Sequence, residues 1–319
     1  MIVDQDYFLK MNNTVNWLKI NGAYGKHYFF GNGINRLSKN NITWSDLLDN
    51  IKGINKFESG QLPNTMVYER IFLEKHAPDT SEKKDEFEIK NVIANGLRKQ
   101  GTNEVLKALA LLPIEHYLTT NYDYALEKAL NISPVKLSSE DIYSLRRKRM
   151  YELENDTKFL WNIHGEIDNP RSIMLGLDHY CGSVSKIDAY VKGKYSHKIN
   201  GVDVTVKSML EKISDSSFCH TSWVDLFFSS NVHILGFSLD YSETDIWWLL
   251  NKRARFSSEA TINNKIYFYT HDISDEKKGL LEAFNVEVII IKLMDNSFEN
   301  MYWSAIKNIS ANINQGMVA

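Results

Sequence analysis

Five short clusters of polar residues and glycines, each directly after an apolar run, hold the chemistry this chain offers. They are Gly31-Asn32-Gly33 after HYFF, Thr119-Thr120-Asn121-Tyr122-Asp123 after HYL, His164-Gly165 after FLWNI, Gly236-Phe237-Ser238 after VHIL, and Thr270-His271 after YFY. Gly-x-Gly after a strand lets the backbone approach a pyrophosphate closely. The third glycine of the dinucleotide fingerprint is missing, however, and a plain tight turn has the same spacing. A single histidine such as His164 serves equally well as a hydrogen-bonded structural residue, and Asn121 or Asp123 as the cap of a helix starting near Tyr122. The set as a whole is more telling than any member. All five clusters fall on the one edge where an open parallel sheet binds its ligand, outside the carboxyl ends of the strands.

Other catalytic signatures are missing from the sequence. It holds no Gly-x-x-x-x-Gly-Lys-Ser/Thr phosphate loop, no Gly-x-Ser-x-Gly nucleophile elbow and no His-Glu-x-x-His zinc helix. What remains is a histidine, an amide and hydroxyls around a dinucleotide. That set suits cleavage of a glycosidic bond already activated by a cationic leaving group, where the protein orients a ribose and deprotonates a hydroxyl or a water.

The elements that must position these residues are legible as hydrophobic periodicity. KHYFF, EHYLTT, FLWNIHG (159 to 165), SIMLG (172 to 176), VHILGF, KIYFYT and VEVIIIKL read as short strands. Between them, YDYALEKAL, DYSETDIWWLLNKRARF and DEKKGLLEAF have helical spacing, as does an amphipathic stretch before the first strand, DQDYFLKMNNTVNWLKI. Thr43 followed by Asp46 predicts a capped helix running through Leu47 and Leu48. Apolar strands of four to eight residues alternating with helices predict a Rossmann-like, doubly wound, mostly parallel α/β sheet. Charge-rich helical segments at about 50–112 and 178–229 read as insertions into a single domain over 1–319. No internal repeat or low-complexity tract interrupts it.

Bulk properties narrow the class. At 319 residues, 43% hydrophobic and 24% charged, with 16 Gly and 5 Pro, the composition is that of a globular domain with a substantial core. A net charge of -3 argues against a dedicated nucleic-acid binder, and no direct nucleic-acid binding is expected. The basic run Arg146-Arg147-Lys148-Arg149 reads as a solvated helix face. Two isolated cysteines, Cys181 and Cys219, fit a reduced, cytoplasmic protein, and neither a signal peptide nor a membrane helix is expected. The aromatic segments SWVDLFF and DIWWLL read first as core and second as interface.

The ordered series Gly-x-Gly, Thr-Thr-Asn-Tyr-Asp, His-Gly and Gly-Phe-Ser-Leu resembles the sirtuin family. More narrowly, it resembles the sirtuin-like NAD+ hydrolase domains of bacterial anti-phage defence systems, from about residue 28 to 271. By that resemblance Gly31 and Gly33 match the glycines that contact the pyrophosphate. Asn121 matches the asparagine of the Thr-Gln-Asn-Ile-Asp motif that faces the nicotinamide ribose and a water, and Asp123 completes the motif. His164 matches the histidine acting on the ribose hydroxyls. Gly236 and Ser238 match the Gly-Thr-Ser segment near the adenosine, and Thr270 and His271 match positions that contact adenosine. Asn32, Asn35 and Thr120 complete the expected dinucleotide-binding set, with Asn121 and His164 as the catalytic pair.

Departures from the protein deacylases matter as much. The Ala-Gly-Ile-Ser continuation, the Pro-Asp-Phe-Arg segment and the four zinc cysteines are absent, so no metal is expected. Asn32 stands where alanine is commoner. The Trp-x-x-Leu-Leu at 44–48 and GFSLDYSETDI are similar to the defence-type branch. The resemblance implies NAD+ as substrate, nicotinamide and ADP-ribose as products, and depletion of NAD+ on infection (abortive infection). It also implies gating by homo-oligomerisation or by a separate sensor or regulatory subunit. Two rivals stand beside it: a catalytically silent NAD+ or ADP-ribose sensor, and a deacylase or ADP-ribosyltransferase.

Overall fold

The computed structural model describes residues 26–52, 57–75, 85–135, 137, 142–154, 156–199 and 201–315. The amphipathic stretch expected before the first strand lies outside them. Among the described residues, seven strands form one sheet in the order β3-β4-β2-β1-β7-β8-β9, where β1 is Lys26–Phe30, β2 His116–Thr119, β3 Lys148–Leu153, β4 Asp156–Asn162, β7 Asn231–Leu235, β8 Ile266–Thr270 and β9 Val286–Ile290. Every pairing is parallel except β3 against β4, which is antiparallel at the edge. This is the Rossmann-like, doubly wound, mostly parallel sheet.

The two-residue period of the strands assigns the faces. Phe29, Leu118, Trp161, Ile234 and Phe268 join one core, covered by the helices Leu177–Val191, Trp223–Ser229 and Thr244–Phe256. Their immediate neighbours Phe30, Tyr117, Leu160, Leu235 and Tyr269 join the opposite core, under the helices Glu104–Ala110, Ala125–Ala129 and Phe298–Gln315. A third core lies beyond the strand ends. Leu47 and Ile51 from the helix Trp44–Lys52, Tyr68 and Ile71 from Asn64–Lys75, and Ile89 and Ile93 from Glu86–Leu97 pack on Tyr122, Tyr124 and Ile173. The expected box at the first of these helices is present: Thr43 N donates to Asp46 Oδ2 (2.8 Å) and Asp46 N to Thr43 Oγ1 (3.2 Å).

Several expectations are corrected. Arg147 and Arg149, read as part of a solvated helix face, are each 1% exposed, and Lys148 onward forms β3. Their cationic run marks a buried edge strand because carboxylates and carbonyls inside the fold partner them. SIMLG is not a strand: a short turn of helix, Pro170–Ser172, ends at its first residue, and no strand spans 172–176. Within 178–229 the chain also folds a two-stranded hairpin, β5 (Ser196–Ile199) with β6 (Val202–Thr205), that no helical spacing announces. SWVDLFF is core, with Trp223, Val224, Leu226, Phe227 and Phe228 all buried. The two cysteines are free and exposed. No helix among the described residues is long and apolar enough to cross a membrane.

β1 has β2 on one side and β7 on the other, and the chain builds outward in both directions from it. The gap above β1 and β7 is therefore the switch point where this architecture opens its crevice. Gly33 N donates to Gly236 O at 2.7 Å across that point, and a Cβ at Gly33 would lie 2.7 Å from Gly236 O and 2.7 Å from Tyr302 Oη. Gly33→Ala is expected to lower stability by about 1–3 kcal/mol through this overpacking. Gly96→Ala, on a helix where a Cβ would meet nothing within 4 Å, is expected to raise it by about 0.5–1 kcal/mol. Urea denaturation of both variants checks the contrast.

Candidate active site

At the switch point lies a cavity of about 350 Å³ whose wall takes residues from every strand end singled out in the sequence. Asn32, Gly33, Thr120, Asn121, Asp123, His164, Gly236, Ser238, Thr270 and His271 all line it. Two expected members do not. Gly31 lies beneath the wall, where a Cβ would come within 2.7 Å of the Phe237 ring. Asn35 is fully buried and donates from Nδ2 to Asp123 Oδ2 at 2.9 Å, so it steadies a wall residue from behind. The glycine turn is thus both a tight turn and a cavity wall. With its N–H given to Gly236, Gly33 offers close approach, not a donor.

Asn121 is held by its backbone. Its N–H donates to Thr119 Oγ1 (3.0 Å) and its carbonyl accepts from Asn162 Nδ2 (3.1 Å). Asn162 is in turn gripped by Arg149 Nη1 at Oδ1 (2.7 Å) and by Arg147 Nη1 at its carbonyl (3.2 Å). Arg149 also pairs with buried Glu166, which accepts from Tyr124 Oη at 3.0 Å. The side-chain Nδ2 of Asn121 has no partner among the described residues although it is buried. A buried amide without a partner is costly unless a ligand or water takes it. Asp123 plays the capping part, accepting from Ala125 N at 2.9 Å, and burial pushes its carboxyl pKa up against that bond and the Asn35 bond.

His164 follows β4 through a turn that needs glycine. Gly165 has φ +111°, and a Cβ there would lie 2.3 Å from Ser172 O. The imidazole is 1% exposed yet borders the cavity. Its Nε2 meets Asp245 Oδ2 at 3.0 Å, its Nδ1 lies 3.8 Å from Glu243 Oε2, and the Tyr180 ring stands edge-on at 5.2 Å. Burial favours the neutral ring, but the Asp245 carboxylate, its hydrogen bond and Glu243 outweigh it and raise the pKa. Glu243 is pushed up to about 7, chiefly by burial, with Asp245 and Asp240 adding repulsion against the pull of His164 and Tyr180.

His164, Glu243 and Asp245 are also the one group among the described residues whose ligand-type atoms all lie within 4.8 Å of one another, as a metal site requires. Hydrogen bonding accounts for that spacing. Nε2 and the Asp245 oxygens are engaged with each other, with Ser183 Oγ and with Ile246 N. Of the three, His164 and Glu243 line the cavity, and Nδ1 lies 3.5 Å from Tyr180 Oη.

The SIR2-like domain model matches residues 115–289, more than half of the chain, from β2 into β9. The chain belongs to the SIR2-like domain family. A second comparison finds 34% identity over 99 residues with the NAD(+) hydrolase ThsA of Bacillus cereus (strain MSX-D12). That match covers 30% of this chain and 19% of ThsA. The first glycine turn lies outside the stretch matched to the SIR2-like model.

In this SIR2-like chain the cavity also takes residues that motif reading missed. Glu243 and Tyr180 stand beside His164, Arg36 and Lys277 bring positive charge, and Trp44, Phe298 and Tyr302 bring rings. Two of them left a trace in the sequence: Trp44 opens the Trp-x-x-Leu-Leu at 44–48, and Glu243 is one of three acids in DYSETDI after GFSL. Tyr180, Lys277, Phe298 and Tyr302 come from helices outside the strand-end motifs, and Arg36 caps the short helix that follows Gly31. Lys277 Nζ reaches the carbonyls of Ser238 (2.9 Å) and Leu239 (2.8 Å), fixing the segment that follows β7.

The support beneath Asn121 can be tested. Arg149→Met leaves Glu166 buried and unpaired, and a loss of about 3–5 kcal/mol in urea denaturation is expected. Pairing it with Glu166→Leu, which removes the orphaned charge, is expected to recover most of that loss.

Proposed function

We propose that this chain is an NAD+ glycohydrolase that cleaves the bond between nicotinamide and ribose to give nicotinamide and ADP-ribose. One observation carries the reading: an unpartnered buried amide, Asn121 Nδ2, and a carboxylate-held imidazole, His164, border the same switch-point cavity as Gly33 and Gly236. A dinucleotide laid along the strand ends puts its pyrophosphate at the glycine turn, near Arg36. Its adenosine then lies toward Ser238, Thr270 and His271, and its nicotinamide ribose between Asn121 and His164. The similarity to ThsA, named as an NAD(+) hydrolase, supports the substrate.

When the bond breaks, its electron pair moves onto the pyridinium nitrogen, and nicotinamide leaves neutral. No Lewis acid is needed for such a leaving group, and the reaction requires no metal. Asn121 holds a ribose hydroxyl and the incoming water in line, and His164 governs the proton on the ribose side. In this reading the whole chain is one catalytic domain with helical insertions at about 50–112 and 178–229, acting in the cytoplasm. Its setting is anti-phage defence, where NAD+ depletion aborts infection. Unchecked, that activity would be toxic to its own cell, which calls for gating by self-assembly or by a sensor subunit.

Asn121→Ala and His164→Ala are each expected to lower NAD+ consumption by about 10²- to 10⁴-fold, read as nicotinamide and ADP-ribose by chromatography. Equal turnover by wild type and both variants would refute the assignment. Binding without turnover in the wild type would favour a silent sensor, and dependence on an acylated peptide or a protein acceptor would favour a transferase. Turnover is expected to be unchanged by EDTA.

A further inference from the structure

Two carboxylates flank one imidazole, and their surroundings differ. Asp245 is fully buried, and both its oxygens are engaged: Oδ2 accepts from His164 Nε2 (3.0 Å) and Ser183 Oγ (2.9 Å), and Oδ1 accepts from Ile246 N (2.9 Å). It orients the ring and touches nothing in the cavity. Glu243 precedes the same helix but lines the cavity, with its side chain 13% exposed. Its Oε2 accepts from Tyr180 Oη at 3.0 Å, and its other oxygen has no hydrogen bond among the described residues.

We propose that Glu243 is the general base that deprotonates the water capturing the ribosyl cation. The assignment rests on the reading of the site as an NAD+ glycohydrolase. Once the C1′–N bond has broken and nicotinamide has left, the water oxygen forms the new bond to C1′ and one of its protons must go. Glu243 takes that proton, becoming a carboxylic acid, and returns it to solvent through the cavity mouth. No oxidant, reductant or second substrate enters the step.

Geometry selects Glu243 over its neighbours. His164 Nε2 is engaged by Asp245 at 3.0 Å, and its Nδ1 lies 3.5 Å from Tyr180 Oη and 3.8 Å from Glu243 Oε2, so both ring nitrogens already face protein groups. Tyr180 points its hydroxyl at Glu243 and is itself buried. The groups facing Glu243 are His164 after β4, Tyr180 on the helix Leu177–Val191, and Asp240 and Asp245 from its own segment. Arg147 and Tyr122 act on this cluster from farther off. A carboxyl pushed up to about 7 is a stronger base than an ordinary one and is still partly ionised at neutral pH.

The test separates bond cleavage from water capture. Wild type, Glu243→Gln and Glu243→Asp are compared for NAD+ hydrolysis, for exchange of labelled nicotinamide into NAD+, and for azide rescue, with thermal melting to verify folding. Glu243→Gln is expected to hydrolyse about 10²- to 10⁴-fold more slowly while exchange persists. Azide, which needs no deprotonation, is expected to restore NAD+ loss with formation of the ribosyl azide. In the wild type the ratio of hydrolysis to exchange is expected to rise with pH through about 7, because Glu243 acts only when ionised. That measurement needs no variant to fold. Glu243→Gln hydrolysing at the wild-type rate, or a pH-independent ratio in the wild type, would overturn the assignment and leave the glycohydrolase standing. Wild type inert in both hydrolysis and exchange would remove the glycohydrolase reading and this assignment together.

Discussion

A buried imidazole bonded to a buried carboxylate ties the two halves of the sheet together. His164 leaves β4, on one side of the switch point, and Asp245 lies in the helix that follows β7, on the other. Both groups are buried at 0–1% exposure, and their bond links the two halves beyond the ladder that β1 makes with β2 and β7. Around that bond the cavity wall is arranged. Glu243 reaches the ring's other side, Tyr180 closes over it, and the glycine turn after β1 meets the carbonyl of Gly236 across the gap.

The same rule governs the ground beneath Asn121. Arg147 and Arg149 are buried on the edge strand β3 and its approach, and they are acceptable there because Asn162, Glu166 and main-chain carbonyls take their donors. These bonds hold Asn162 in place beneath Asn121, whose own side-chain Nδ2 is buried without a partner among the described residues. The third apolar core, built by helices beyond the strand ends, supplies the roof. Trp44, Leu47 and Leu97 turn from it into the cavity, so helices read from sequence as an insertion help form the site.

Two kinds of information were unequal in the sequence. Strand and helix periods are local, and so KHYFF could be read as a strand, and Thr43 paired with Asp46, from neighbouring residues alone. The ends of the parallel strands could then be read as one edge, which brought Asn121, Asp123, His164, Gly236 and Thr270 to a common wall. The hairpin of β5 and β6 escaped because each strand has only four residues, too few for a two-residue period to stand out, and no residue of β6 is buried to mark a face. Arg147 and Arg149 were misread because charge predicts exposure only where no partner waits inside the fold.

What the sequence alone determined is the order of the elements and the chemistry at their ends, since both follow from side-chain type and spacing along the chain. Which of those ends faces ligand and which faces core was decided by tertiary structure. Asn35 and Gly31 went behind the wall, while Glu243, Arg36 and Lys277 joined it. That choice depends on contacts between segments far apart in the chain, as with Asn35 and Asp123, 88 residues apart, and no local period encodes it.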